Sequence, residues 1–336
     1  MALVLDAMGS DTYPDPEVQA AVDAARILNT EIILVGDETL LKPKLDQINF
    51  DRQPVRIVHA PDVLEMGEKP VDAARRKPLN SMAVGMELVK SGQAQAFVTA
   101  GNTGGAMFNA LRTLGRIKGV QRPALTTTFP VSTGLAVILD IGANADCRPE
   151  FLQQFAIMGS IYAEKALGRK NPAIGLLSNG EEEGKGNQLT KDSYPLIAAC
   201  GLNFTGNVEA KEFVAGKVDV LVTDGFTGNV MLKSSEAIAK LLVDILKEQL
   251  MSSTRTKLGA LLAKPAFSKL KKMMDPSDIG AAPLLGIDGL VFVGHGRSDA
   301  KALTSALVRA QEAVQANLLE AIRLAIQTRL AEAGKN

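Results

Sequence analysis

The chain has 336 residues, 46% of them apolar, and its 37 basic and 37 acidic side chains cancel. That composition supports a large packed core, and zero net charge excludes wholesale electrostatic binding of nucleic acid. Two cysteines and two histidines exclude a disulfide framework and a tri-histidine zinc site and fit a reducing, cytoplasmic setting, while no apolar run nears the ~20 residues of a membrane span.

Residues 2–5 read as a buried strand ending in the polar turn Asp6–Asp11, and the Met1–Gly9 stretch lacks the basic flank of a signal peptide. Pro16 to Leu28 reads as a helix with proline in its first turn. Strands follow at Glu31–Gly36 and Val55–His59, with Asp37 capping a short helix between them. Glu65–Pro70 reads as loop and Asn80–Ser91 as helix. A strand from Ala96 then stops at Ala100-Gly-Asn-Thr-Gly-Gly105, and a helix is expected from Met107 to Ile117. Two strands at Ala124–Phe129 and Gly134–Leu139 precede the turn Asp140–Asp146 and a helix opened by Pro149. A strand over Ala173–Leu177 ends in Ser178–Asn187, and a helix through Leu189 and Ile197 follows. A strand over Val218–Val222 ends in Thr223–Asn229, and a helix runs on to about Met251. A strand at Leu290–Val293 ends in Gly294–Ser298, and one long helix closes the chain. Apolar strands alternating with amphipathic helices predict a three-layer α/β/α fold on a mostly parallel sheet, as a single unit over 1–336.

Six strands end in turns rich in Gly, Asn and Asp, and in a parallel sheet such turns converge on one ligand cleft. No Gly-x-Gly-x-x-Gly follows the first strand, and neither a Gly-x4-Gly-Lys-Ser/Thr loop nor a Gly-x-Ser-x-Gly elbow exists. Dinucleotide, nucleotide and serine-nucleophile chemistry are therefore unsupported. No carboxylate cluster for a metal is visible, and no cofactor is called for. What remains are backbone amides, Asn102, Thr103, Asn144, Lys185, Asp224, Asn229 and His295, a set suited to anions and to a developing oxyanion. The Gly101–Gly104 turn reads as a phosphate cradle at a helix start. Plainer readings stand beside these: a tight strand–helix connection for Gly101–Gly105, left-handed turn positions for Asn102 and Asn144, a solvated loop charge for Lys185, and a helix cap for Asp224.

Residues 236–274 stand apart. Ile238, Leu241, Leu242, Ile245 and Leu246 follow helical spacing, and a second run holds Leu258, Leu261, Leu262, Phe267, Leu270, Met273 and Met274. Arg255, Lys257, Lys264, Lys269, Lys271 and Lys272 fall there with no acid between Arg255 and Lys272. The pattern predicts a protruding basic amphipathic helical hairpin that meets an anionic membrane surface, an acidic protein or a second copy.

Taken in order, Asp6-Ala-Met-Gly-Ser-Asp11, Ala100-Gly-Asn-Thr-Gly104, Asp140-Ile-Gly-Ala-Asn144, Gly175-Leu-Leu-Ser-Asn-Gly-Glu-Glu182 with Lys185-Gly186, Thr205-Gly-Asn-Val-Glu209, Asp224-Gly-Phe-Thr-Gly-Asn-Val-Met-Leu-Lys233 and Gly280-Ala-Ala-Pro-Leu-Leu-Gly286 with His295-Gly296 form a specific set. Over nearly its whole length the chain resembles the bacterial fatty acyl-acyl carrier protein:phosphate acyltransferases of phospholipid synthesis. Ser10 and Gly105 depart from that pattern, where glycine and alanine are usual. The resemblance implies a two-lobed fold like that of isocitrate/isopropylmalate dehydrogenases and phosphate acetyltransferases, and a homodimer. It implies transfer of an acyl group from acyl carrier protein to inorganic phosphate at the inner face of the membrane, where a glycerol-3-phosphate acyltransferase uses the product. Phosphate is then the nucleophile, so the protein acts by holding reactants together. Gly101–Gly104, Asn102, Thr103, Asp224, Gly228 and Lys185 are assigned to binding phosphate or substrate. Asn229 or Asn144 is assigned to the oxyanion, and His295 to protonating the departing thiolate. A coenzyme A-dependent phosphate acetyltransferase, a decarboxylating NAD-dependent dehydrogenase and a non-enzymatic membrane scaffold are the rival readings.

Overall fold

The structure is a computed structural model that describes residues 1–48, 54–267 and 280–333. Its strands are β1 (Ala2–Asp6), β2 (Glu31–Gly36), β3 (Val55–His59), β4 (Ala96–Thr99), β5 (Ala124–Val131), β6 (Gly134–Leu139), β7 (Ile174–Leu177), β8 (Phe204–Val208), β9 (Val220–Val222), β10 (Ala282–Leu285) and β11 (Leu290–Val293). They form one sheet in the order β3-β2-β1-β4-β11-β10-β5-β6-β9-β7-β8. Strict alternation in the strands feeds two cores. Leu3, Leu5, Ile32 and Leu34 point into one, while Val4, Ile33 and Val35 point into the other.

Helices cover both faces. The first core is closed by α1 (Asp15–Leu28), α2 (Glu38–Gln47), α6 (Pro149–Leu167), α7 (Gln188–Ala198), α11 (Ala300–Gln315) and α12 (Leu318–Ala333). The second is closed by α3 (Pro70–Arg76), α4 (Ser81–Lys90), α5 (Thr103–Thr113) and α8 (Ala210–Val214), with Met231 and Leu232 of α9 (Gly225–Met251) packed against it. The result is the expected three-layer α/β/α arrangement on a mostly parallel sheet.

Five differences from the sequence reading have physical causes. Helix α5 starts at Thr103, four residues early, because Asn102 Oδ1 accepts from Gly105 N at 3.0 Å. Asp224 caps α9 in the same way, accepting from Thr227 N at 2.8 Å, so both glycine-rich turns are largely first turns of helices. The closing helix is two helices, divided where Asn317 takes a left-handed φ of 56°. Strands β8 and β10 and helices α3 and α8 were not expected from periodicity. Finally, the six turns do not share one edge. The pairings β11–β10, β10–β5 and β5–β6 are antiparallel, and all the others are parallel. Three reversals make β6, β9, β7 and β8 run opposite to β3, β2, β1, β4 and β11. The turns after β1, β4 and β11 therefore lie on a first edge, and those after β6, β9 and β7 on a second.

Past its first turn α9 is largely exposed, and it packs against α10 (Thr254–Leu262), which buries no residue. Ile238, Leu241, Leu242, Ile245, Leu246, Leu258, Leu261 and Leu262 are all exposed. No described helix is long and apolar enough to cross a membrane. Lys269, Leu270, Lys271, Lys272, Met273 and Met274 lie outside the described residues.

Candidate active site

On the first edge, three turns are tied by hydrogen bonds. Thr99 Oγ1 donates to Asp6 Oδ2 at 2.7 Å and accepts from Gly101 N at 2.9 Å. Gly294 N donates to Thr99 O and Asp11 N to Gly296 O, each at 2.7 Å. A Cβ on Gly101 would lie 2.4 Å from Met82 Cε, the tip of a flexible side chain, and 3.3 Å from the Gly9 Cα. Asn102 is committed: besides its cap, its Nδ2 donates to Met66 O at 3.0 Å. Thr103 is exposed, while Gly104 lies under Pro70, whose Cγ would sit 2.7 Å from a Cβ there. Neither Asn102 nor Asn144 adopts a left-handed φ, so that plainer reading is set aside.

Beneath this edge Glu17 of α1 is fully buried, with Oε1 accepting from Ser10 N at 2.9 Å. Among the described residues neither its Oε2 nor the Ser10 hydroxyl has a hydrogen-bond partner. Burial, with a smaller contribution from the Asp6 carboxylate, pushes the Glu17 pKa from 4.5 up to about 7. A raised carboxyl pKa means that the folded state holds a proton the unfolded chain releases. The stability this proton provides is complete below pH 4.5 and is lost as the pH rises through about 7. The Glu17→Gln variant is expected to be about 3 kcal/mol more stable than the parent at pH 8 and nearly equal to it at pH 4, by urea denaturation.

The second edge is built on Asp140, which is fully buried. Its Oδ1 accepts from Leu125 N, Gly142 N and Ala143 N at 2.9–3.1 Å, and its Oδ2 from Asn144 N and Nδ2 at 2.7 and 2.8 Å. Burial raises the Asp140 pKa, and the bonds from Ala143, Asn144 and Gly142 oppose the rise. Asn144 Nδ2 also donates to Pro123 O at 2.7 Å, so both amide hydrogens are taken and none is left for an oxyanion. Helix α9 docks end-on against this turn: Gly225 N donates to Asn144 O at 2.8 Å, and a Cβ on Gly228 would lie 1.9 Å from Asp140 O. Gly228 is thus explained by close approach of backbones. The Asp224 carboxylate is occupied as a cap, its Oδ2 accepting from Thr227 Oγ1 at 2.7 Å.

Asn229, by contrast, is exposed, with its amide nitrogen beside Gly142. One turn further along α9 stands Lys233, about 6 Å away on the same helix face. Lys233 acts electrostatically on His295 of the first edge. Desolvation first, then Lys233, lowers the His295 pKa, and Glu236 opposes. Lys233 itself pairs with Glu236 at 2.8 Å. Lys233, which no candidate set from the sequence contained, thus stands within electrostatic reach of His295 and one helical turn from Asn229. Its signal was the i, i+4 spacing from Asn229. Lys185 is exposed on the loop after β7, a strand that lies directly beside β9. Asn207 Nδ2 donates to Glu182 O at 2.8 Å and steadies that loop. The cysteine near this edge is no nucleophile: burial, then Asp140, pushes the Cys147 thiol up to about 12.

Residues 1–321 match the family described as "Fatty acid synthesis protein". A phosphate acyltransferase of Thermus thermophilus is 49% identical over 324 residues, covering 96% of this chain and 98% of that protein. One from Elusimicrobium minutum is 46% identical over 324 residues, covering 96% and 95%. Among solved structures, a phosphotransacetylase from Streptococcus pyogenes has a TM-score of 0.62 at 16% identity, covering 94% of each chain. A 4-hydroxythreonine-4-phosphate dehydrogenase from Burkholderia phymatum has a TM-score of 0.50 at 16% identity, covering 93% and 97%. These two share the fold. The match of a family model to nearly the whole chain, with relatives close to half identical from end to end, shows that the chain belongs to the fatty acid synthesis protein family that includes these phosphate acyltransferases.

Proposed function

We propose that the protein moves a long-chain fatty acyl group from acyl carrier protein to inorganic phosphate, giving acyl phosphate for phospholipid synthesis. The end-to-end similarity to phosphate acyltransferases carries this reading. The site chemistry agrees with it, since it offers donors and cations with no activated nucleophile. A phosphate oxygen attacks the thioester carbonyl carbon, the C–S bond breaks, and the thiolate leaves with a proton. Lys185 and the helix start at Thr103–Gly104 attract phosphate, Asn229 donates to the tetrahedral oxyanion, and His295 supplies the proton. Acyl carrier protein, phosphate and enzyme together should yield a hydroxamate when hydroxylamine is added. A product that forms equally without phosphate, or only from acetyl-coenzyme A, sinks the proposal.

The lowered His295 pKa sets a pH dependence. As the proton donor, His295 must be protonated, so turnover falls as the pH rises through a value below the usual imidazole range. Lys233→Ala should move that fall to higher pH, and His295→Ala should remove it and lower turnover about tenfold. Full turnover in His295→Ala would show that the thiolate leaves unaided.

We also propose that the α9–α10 pair rests on the inner face of the membrane and that the enzyme works there as a homodimer, handing acyl phosphate to a glycerol-3-phosphate acyltransferase. Exposed leucines beside Arg255, Lys257 and Lys264 support this. Leu258→Asp/Leu261→Asp should cut pelleting with anionic liposomes several-fold while leaving acyl phosphate formation in solution unchanged.

A further inference from the structure

A cavity of about 400 Å³ opens beside the second edge, lined by the α5–β5 loop and the amino end of α6. Arg116 and Arg122 come from the loop, and Arg148 is the residue before Pro149 that opens α6. Asp146 is the one carboxylate in the lining, and Cys147 and Phe151 give it an apolar part. None of the three arginines makes an ion pair among the described residues. Guanidinium groups set around one hollow with a single acid leave a local excess of positive charge that favours an oxyanion.

The backbone carrying these arginines is fixed before any ligand arrives. Gln121 N donates to Gln154 Oε1 at 2.8 Å, and Gln154 Nε2 donates to Gly119 O at 3.1 Å, so a buried glutamine of α6 pins the loop. The Arg116 guanidinium donates to Gln121 O. On the other side of Arg122, Pro123 O accepts from Asn144 of the Asp140 turn. Arg122 is thus tied on one side to α6 and on the other to the turn that seats Asn229. The backbone under Arg122 is therefore ordered in advance, and only side-chain freedom is lost when a ligand is captured. The hollow also extends beyond a bare tetrahedral anion, and Phe151 offers contact to an organic portion.

We infer that this arginine-lined cavity is an anion subsite that takes a phosphate group of the substrates, either inorganic phosphate or the phosphodiester of the carrier's pantetheine arm. The inference rests on the acyltransferase reading above. The arginines are exposed, so replacing them leaves the core intact.

Calorimetry on the full-length protein tests it, with inorganic phosphate and 4′-phosphopantetheine titrated separately. Arg122→Ala/Arg148→Ala should weaken at least one of the two ligands about tenfold or more. The ligand that weakens names the source of the phosphate. Arg122→Lys/Arg148→Lys should restore part of the loss, because charge returns without the fork. Equal affinity of parent and alanine variant for both ligands, or no binding of either to the parent, overturns the inference. Should the parent form no acyl phosphate while the alanine variant still loses binding, the subsite stands and the acyltransferase reading fails instead.

Discussion

Asp140→Ala is expected to lose about 4 kcal/mol of stability, read as a lower midpoint in urea with an unchanged slope. The carboxylate accepts from Leu125 N, Gly142 N, Ala143 N and the backbone and side chain of Asn144. Removing it strands these donors away from water, and a buried polar group without a partner costs far more than a made hydrogen bond contributes. Asp140→Asn separates the two oxygens. A correctly placed amide keeps the three bonds at Oδ1 but turns an N–H group toward the two donors at Oδ2. About half the loss is expected. If both variants unfold at the parent midpoint, the turn is held by something else.

Lys185→Ala is expected to raise the Michaelis constant for phosphate about tenfold or more, with that for acyl carrier protein nearly constant. The loop presents Lys185 to solvent, with its backbone N–H donating to Glu182 O at 2.9 Å. The ammonium group is therefore placed by a steadied loop without being used up in packing. Lys185→Arg should recover much of the affinity, since a cation is restored. A normal Michaelis constant for phosphate in the alanine variant removes Lys185 from phosphate binding.

Much of the fold was legible because its signals are local. Buried parallel strands read as apolar runs, and Pro149 marks a helix start as proline does elsewhere. Misses came where a non-local term decides. Strand β10 carries Pro283, which cannot donate to a ladder, and pairs only two residues with each neighbour. Strand β8 contains Gly206 at a φ of 95°, which weakens the apolar alternation. The edge on which a turn falls is set by how many antiparallel pairings lie between strands, and no loop sequence encodes that number. The site residues divide in the same way. Asn102, Asn144, Asp224 and Gly228 look functional in sequence because polar and glycine residues at helix starts serve caps as readily as ligands. Only the hydrogen-bond partners reveal that they are taken. Lys233 was passed over because its importance lies in a neighbour 62 positions away, His295.

The narrowness of β10 has a mechanical consequence. Its first two residues hold β11 and its last two hold β5, so the two halves of the sheet meet along a seam one short strand wide. His295 rides on one half and Asn229 on the other. A small flexing along that seam would change the gap between them while each half kept its own ladder. The molecule is built like a book whose spine is four residues long, with His295 and Asn229 on different pages.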